Sequence, residues 1–278
     1  MVTCFLLLLG MGWASFDDAH PVSQGTTVEI VEGDWGDARP EDIQKILRSV
    51  VECMEQKTGV VIGENLRVES SGGPMVLYQR DKDGSYRIKL QVSGRYWSQL
   101  VYQFSHEVGH ILVGYQPNPG PQEWLEEAVC EAMSFRVLRS LSVSWKVDPP
   151  FERLRGYAQH LSEYAVTMEG RCTPVTVDQI GVWYESHRSR LESSIHDRPL
   201  IRAFSRHVST WLEDEPGLWK KIQDLGKGKG KAKETVAERI GRWTRGWKGP
   251  EQLLAQKMLK AFSKDPAQAE SGSSKSQP

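Results

Sequence analysis

The sequence predicts an α+β fold, with a small N-terminal mixed β-sheet and helices followed by a mainly helical C-terminal part. Three observations carry this. Short runs rich in β-branched residues, with apolar and polar side chains alternating, are found ahead of residue 95. Beyond that point apolar residues recur at the 3.6-residue spacing of helices. Gly- and Pro-rich stretches separate the segments.

Taken in order, Thr26–Val31 reads as a first strand. Pro40 opens a helix in which Ile43, Ile46, Leu47, Val50, Val51 and Met54 keep one apolar face until Gly59. Leu66–Val68 is a second strand. Met75–Tyr78 and Tyr86–Val92 flank Asp81-Lys82-Asp83-Gly84, a hairpin with suitable turn chemistry, and Tyr86, Ile88, Leu90 and Val92 share its buried face. A helix runs from about Arg95 to Val113 and stops at Gly114. After the breakers of Gly114–Pro121, another covers roughly residues 122–143. Asp148-Pro149-Pro150 is expected to cap the next, whose stripe is Phe151, Leu154, Tyr157, Leu161, Tyr164, Ala165 and Met168. Helical periodicity then runs from Trp183 to about Asp224, with breaks near Pro199 and Pro216. Gly226–Lys231 reads as a flexible basic linker, and Thr235–Trp247 and Glu251–Phe262 as short amphipathic helices. Residues 265–278 have a disordered composition.

A chain of 278 residues can hold one medium domain with an appendage, or two small domains. Its net charge of −1 advertises neither nucleic acid nor an acidic partner. Arg239, Arg242, Arg245 and Lys248, with Trp243 and Trp247 between them, lack any nucleic-acid fold signature and read as a solvated helix face. Cys4, Cys53, Cys130 and Cys172 are scattered, without a C-x-x-C pair, and read as buried thiols. Phe5–Ala14 is too short an apolar run to span a bilayer, and Gly12-x-Ala14 offers small residues for cleavage. Export to a secreted or periplasmic location is expected, with a cytoplasmic chain as the alternative. No other stretch is apolar enough to cross a membrane, so no transmembrane segment is expected in the mature chain.

The chemistry is concentrated in His106-Glu107-Val108-Gly109-His110. On a helix, two histidines four residues apart project from one face, roughly 6 Å apart along the axis, and can reach one Zn²⁺. Glu107 sits beside them, where its carboxylate can take a proton from a metal-bound water. A third protein ligand is required. The metzincin pattern would need Gly and His at the positions of Val113 and Gln116, so it is excluded. The alternative is a glutamate on the following helix, where Glu123, Glu126, Glu127 and Glu131 are available.

Trp124-Leu125-Glu126-Glu127-Ala128 resembles the W-L-x-E-G segment of gluzincin metallopeptidases, the group of thermolysin and aminopeptidase N. The resemblance is specific over about residues 95–135. It implies a zincin-like domain, a peptide or protein substrate, one Zn²⁺ ion, and Glu127 as third ligand beside His106 and His110. Glu126 and Ala128 replace the asparagine and glycine usual around that ligand, and no G-A-M-E-N strand for a free amino terminus is present. Glu131, one turn after Glu127, is placed to orient a ligand histidine. The resemblance also implies an edge strand over the metal that pairs with substrate, for which the hairpin is the candidate. An oxyanion donor is expected from the downstream helices, with Tyr157, His160 and Tyr164 as candidates. Segment boundaries follow: 1–19 for a signal peptide and short leader, 20–215 for the zincin-like catalytic domain, 216–263 for a helical appendage and 264–278 for a disordered tail. The expected activity is zinc-dependent peptide hydrolysis with Glu107 as general base. The alternative is a non-catalytic zinc- or peptide-binding module of degenerate peptidase origin. The sequence does not speak to oligomeric state.

Overall fold

Strand alternation decides which way the sheet faces. The computed structural model describes residues 25–262 except 118, 119 and 229. The proposed signal peptide and the C-terminal tail lie outside the described residues. In β1 (Thr27–Ile30) Val28 is buried; in β2 (Asn65–Ser70) Leu66 and Val68 are. β3 (Met75–Val76) is short, and β4 (Tyr86–Leu90) buries Tyr86, Ile88 and Leu90. The order is β1-β2-β4-β3, with β1–β2 and β2–β4 parallel and β3–β4 antiparallel, a small mixed sheet. The register sets Val28 beside Leu66 and Val68 beside Ile88, so apolar side chains line up on one face. The expected hairpin is present, turned at Asp81–Gly84 with Gly84 at φ 84°. Its first strand, β3, is one of the two edge strands of the sheet, opposite β1.

Helix α1 (Pro40–Thr58) buries the six apolar residues of its stripe. Helix α2 (Trp97–Val113) is buried on nearly all sides, as the central element must be, and ends at Gly114 in the left-handed conformation. Helix α3 (Glu123–Ser144) packs against it. Their close approach depends on Gly109, where a Cβ would stand 3.2 Å from the Cβ and Sγ of Cys130. Gly109→Val should therefore force the helices apart, costing about 1–3 kcal/mol of stability in denaturant titrations and weakening any metal held between them. Retention of full stability would refute this account of the glycine.

The segment after Asp148 differs from expectation. Phe151 leads into a 3₁₀ turn over Glu152–Tyr157, and α4 begins only at Ala158 and ends at Glu169. Gly156 falls in the second turn of the expected helix, and Gly disfavours a helix interior. Arg155 also ties the turn back to the carbonyls of Lys146 and Val147.

Helices α5 (Ile180–Ser193) and α6 (Arg198–Asp214) follow, then a 3₁₀ stretch over Pro216–Asp224, α7 (Val236–Trp243) and α8 (Pro250–Phe262). Trp124 of α3 is the hub for several of them. Its ring lies 5.7 Å from Tyr184, 5.3 Å from Phe204 and 6.3 Å from Phe262. The segment expected as an appendage shares this core, burying Leu218, Trp219, Ile222, Ile240, Trp243 and Met258. The Gly/Lys stretch is tied down, with the Gly226 N–H donating to the Val113 carbonyl at 2.9 Å and Arg242 to the Lys227 carbonyl at 2.6 Å. Arg239, Trp243 and Trp247, expected on a solvated face, are buried instead. Among the described residues, no helix is long and apolar enough to cross a membrane. Cys130 is a buried free cysteine, whereas Cys53 and Cys172 are only partly covered.

Candidate metal centre

Helix α2 carries His106 and His110 on successive turns, with ring centroids 5.0 Å apart and planes at 68°. Helix α3 brings the Glu127 carboxylate between them. Its Oε2 lies 3.2 Å from His106 Nε2, and its Oε1 lies 3.4 Å from His110 Nε2. The outward nitrogens have their own acids: His106 Nδ1 is 3.4 Å from Glu131, and His110 Nδ1 is 2.9 Å from Glu126. Each ring therefore has one nitrogen facing the centre and one held by a carboxylate behind it. With Nδ1 donating outward, each Nε2 lone pair is left aimed inward.

This arrangement fits a metal ion. One donor atom each from His106, His110 and Glu127 lies within 4.8 Å of the others. Tetrahedral ligands at 2.0–2.1 Å from zinc stand roughly 3.3 Å apart, and the two imidazole–carboxylate separations match that spacing. The electrostatics agree. Burial would lower the pKa of His106, but Glu127 and Glu131 outweigh it and push it up to about 10. Burial likewise opposes protonation of His110, yet Glu126 and Glu127 raise its pKa on balance. Burial would raise the Glu127 carboxyl, and the two imidazoles with Arg198 hold it well below the usual carboxylate range. The site favours positive charge at its centre.

Glu131 is buried beneath His106 and fully engaged. It accepts from the Tyr102 hydroxyl at 2.6 Å and from Arg202 Nε at 2.7 Å. Arg202 donates to the same hydroxyl at 3.3 Å, so an Arg202–Tyr102–Glu131 network fixes the ring above it.

A cleft of about 300 Å³ opens onto this cluster, with β3 and the following Leu77 and Tyr78 on its wall. Glu107 faces it too. Although only 4% exposed, its carboxylate makes no side-chain hydrogen bond or ion pair among the described residues. A carboxylate without a protein partner, open to the cleft beside three candidate metal ligands, is suited to handling a proton.

The three expected oxyanion donors are elsewhere. The Tyr157 hydroxyl accepts from the Ser98 N–H at 3.2 Å, His160 is exposed beside Glu163, and the Tyr164 ring meets Tyr102 edge-on at 5.8 Å. None lines the cleft. The reason is the packing of α4 and its preceding turn on the Ser98–Tyr102 end of α2, away from the His106–His110 turn. The loop into α6 reaches the cleft instead, delivering His196 and Arg198, and Arg198 Nη1 donates to Glu127 at 2.9 Å. Asp197 caps α6 by accepting from the Leu200 N–H, with Pro199 next in line. That Asp-x-Pro start was the one sequence signal for this turn, and nothing in it specified the contact with Glu127. Glu126, one of the glutamates the sequence offers as third ligand, sits behind His110 instead.

No model of a known protein family matches the chain, and no curated protein matches it.

Proposed function

We propose that this chain is a gluzincin-type, zincin-like peptidase that hydrolyses peptide bonds with one zinc ion held by His106, His110 and Glu127. One observation carries the reading: the unpartnered Glu107 carboxylate faces the same cleft as three convergent donors. Metal binding alone would not need it. When bound, the zinc would polarise the substrate carbonyl and acidify water. Glu107 takes the proton as water attacks and passes it to the leaving amine. Glu126 and Glu131 keep the imidazoles oriented, while Arg198 steadies Glu127. The free edge of β3 offers main-chain groups to an extended peptide, a mode that grips backbone while reading few side chains.

The test is metal analysis of protein purified without added zinc, followed by incubation with a diverse peptide library. One zinc per chain with chelator-sensitive cleavage supports the reading. Metal without cleavage would favour a non-catalytic zinc- or peptide-binding module.

Glu131→Gln provides a further check. Removing its charge frees Arg202 and loosens His106, so zinc affinity measured against a competing chelator should fall about 10- to 100-fold. Unchanged affinity would make Glu131 a purely structural acid.

A further inference from the structure

The metal cluster lies at one part of a longer groove. Its cleft shares Glu123, Ile195 and His196 with an adjoining cavity of about 210 Å³, which continues toward Gly120 and Glu192. The acids along this groove are unequally satisfied. Glu126 bonds His110, and Glu127 bonds both His106 and Arg198. Glu192 accepts from Tyr184 and Gln122 and pairs with Arg188. Glu123, the first residue of α3 and common to both cavities, makes no side-chain hydrogen bond or ion pair among the described residues. Burial, then the neighbouring Glu126 and Glu127, raise its pKa against the smaller opposing charge of His110.

The strand wall supplies an aromatic complement. Tyr78 is 53% exposed and stacks on Tyr115 at 5.1 Å between centroids, with planes at 30°. The Tyr115 hydroxyl donates to the Leu77 carbonyl at 2.7 Å, which holds the pair against the strand. Tyr78 and Glu123 line the same cleft, where burial, and then the charge of Glu123, raises the Tyr78 pKa to about 12. A carboxylate and a ring face in a partly desolvated groove suit an ammonium or guanidinium group, through a charge-assisted hydrogen bond and a cation–π contact. Arg198, the arginine that lines the cleft, is committed to Glu127.

We propose that this groove, on the peptidase reading above, selects peptides bearing a cationic group, with Glu123 as the specificity-determining carboxylate and Tyr78 as its aromatic partner. The cation can come from a lysine or arginine side chain or from a free amino terminus, and the experiment separates the two. Binding is measured by isothermal titration to zinc-loaded full chain carrying Glu107→Gln. The peptides are a set with blocked ends in which lysine is stepped through a glutamine-containing sequence, the all-glutamine parent, and that parent with a free amino terminus.

The best lysine peptide should bind about 10- to 100-fold more tightly than the parent. Adding Glu123→Gln should bring the two within a few-fold, and Glu123→Lys should favour a glutamate peptide instead. Tyr78→Leu should reduce the preference several-fold, with Tyr78→Phe retaining it. A gain shared by the free-amine parent assigns the cation to the terminus, and a gain confined to lysine assigns it to the side chain. Equal binding of all peptides, no binding by any cationic peptide, or a preference that survives Glu123→Gln would overturn the subsite. Cleavage without charge preference by the unsubstituted chain overturns the subsite and leaves the peptidase reading intact. Charge-selective binding without cleavage supports the subsite and overturns that reading.

Discussion

Glu107→Gln should abolish most peptide hydrolysis while leaving fold and metal in place. Proton transfer by a positioned carboxylate contributes about 10²- to 10⁴-fold, equivalent to roughly 3–5 kcal/mol of barrier, and glutamine cannot take the proton. The other half of the prediction follows from the contacts. Glu107 is buried but makes no side-chain bond that holds α2 to its neighbours. Replacing it with a neutral isostere removes a buried charge without leaving a partner behind. Denaturant midpoint should match or exceed that of the unsubstituted protein, zinc stoichiometry should be unchanged, and turnover on any cleaved peptide should fall by at least two orders of magnitude. A variant that cleaves at the original rate would remove Glu107 from the mechanism. A variant that loses its metal would show the carboxylate to be a ligand.

How far this site was legible in the sequence depends on the range of each interaction. His106 and His110 are four residues apart on one helix, and Glu131 follows Glu127 by one turn, so local periodicity placed them. The approach of α3 to α2 could be expected from the breakers between Gly114 and Pro121. The strands and α1 followed from alternation and from a six-residue apolar stripe. Contacts across long stretches of chain were not legible. Arg198 meets Glu127 across 71 residues and Arg202 meets Glu131 across 71, and no local pattern encodes either pairing. Tyr157, His160 and Tyr164 lie on the nearest downstream helix and the turn before it, but that 3₁₀ turn and the packing of α4 at the Ser98 end carry them away from the cleft.

The C-terminal segment shows a different failure, in which composition overrode periodicity. Gly226–Lys231 has linker chemistry, yet the Gly226 N–H and Arg242 tie its first residues to the core. Arg239 was read by its charge. Its spacing from Val236 and Trp243 sets it on the apolar face of α7, where it is 2% exposed and its Nε finds no acceptor.

Glu127→Ala should lower metal content more than any other single change on α3. It deletes the one carboxylate among the described residues that reaches both Nε2 atoms, leaving two imidazoles where a catalytic zinc site requires three protein ligands. Because even residues behind the ligands are worth 10- to 100-fold in affinity, loss of a ligand itself should exceed about 100-fold. Stability supplies a readout free of any assay for cleavage. An ion bound only by the folded state at about 100 times its dissociation constant stabilises by about 2.7 kcal/mol, so the unsubstituted chain should melt higher with zinc than with chelator. In Glu127→Ala that difference should vanish. The metal-free variant should itself be less stable, since Arg198 and both imidazoles lose their counter-charge, although Arg198 is partly solvated and its share is small. Glu127→Gln controls for the cavity by keeping the side-chain volume. A variant that retains one zinc per chain and the full melting shift would move the third ligand to Glu126 or Glu123, and the proposed mechanism would have to be rebuilt around whichever of the two it proved to be.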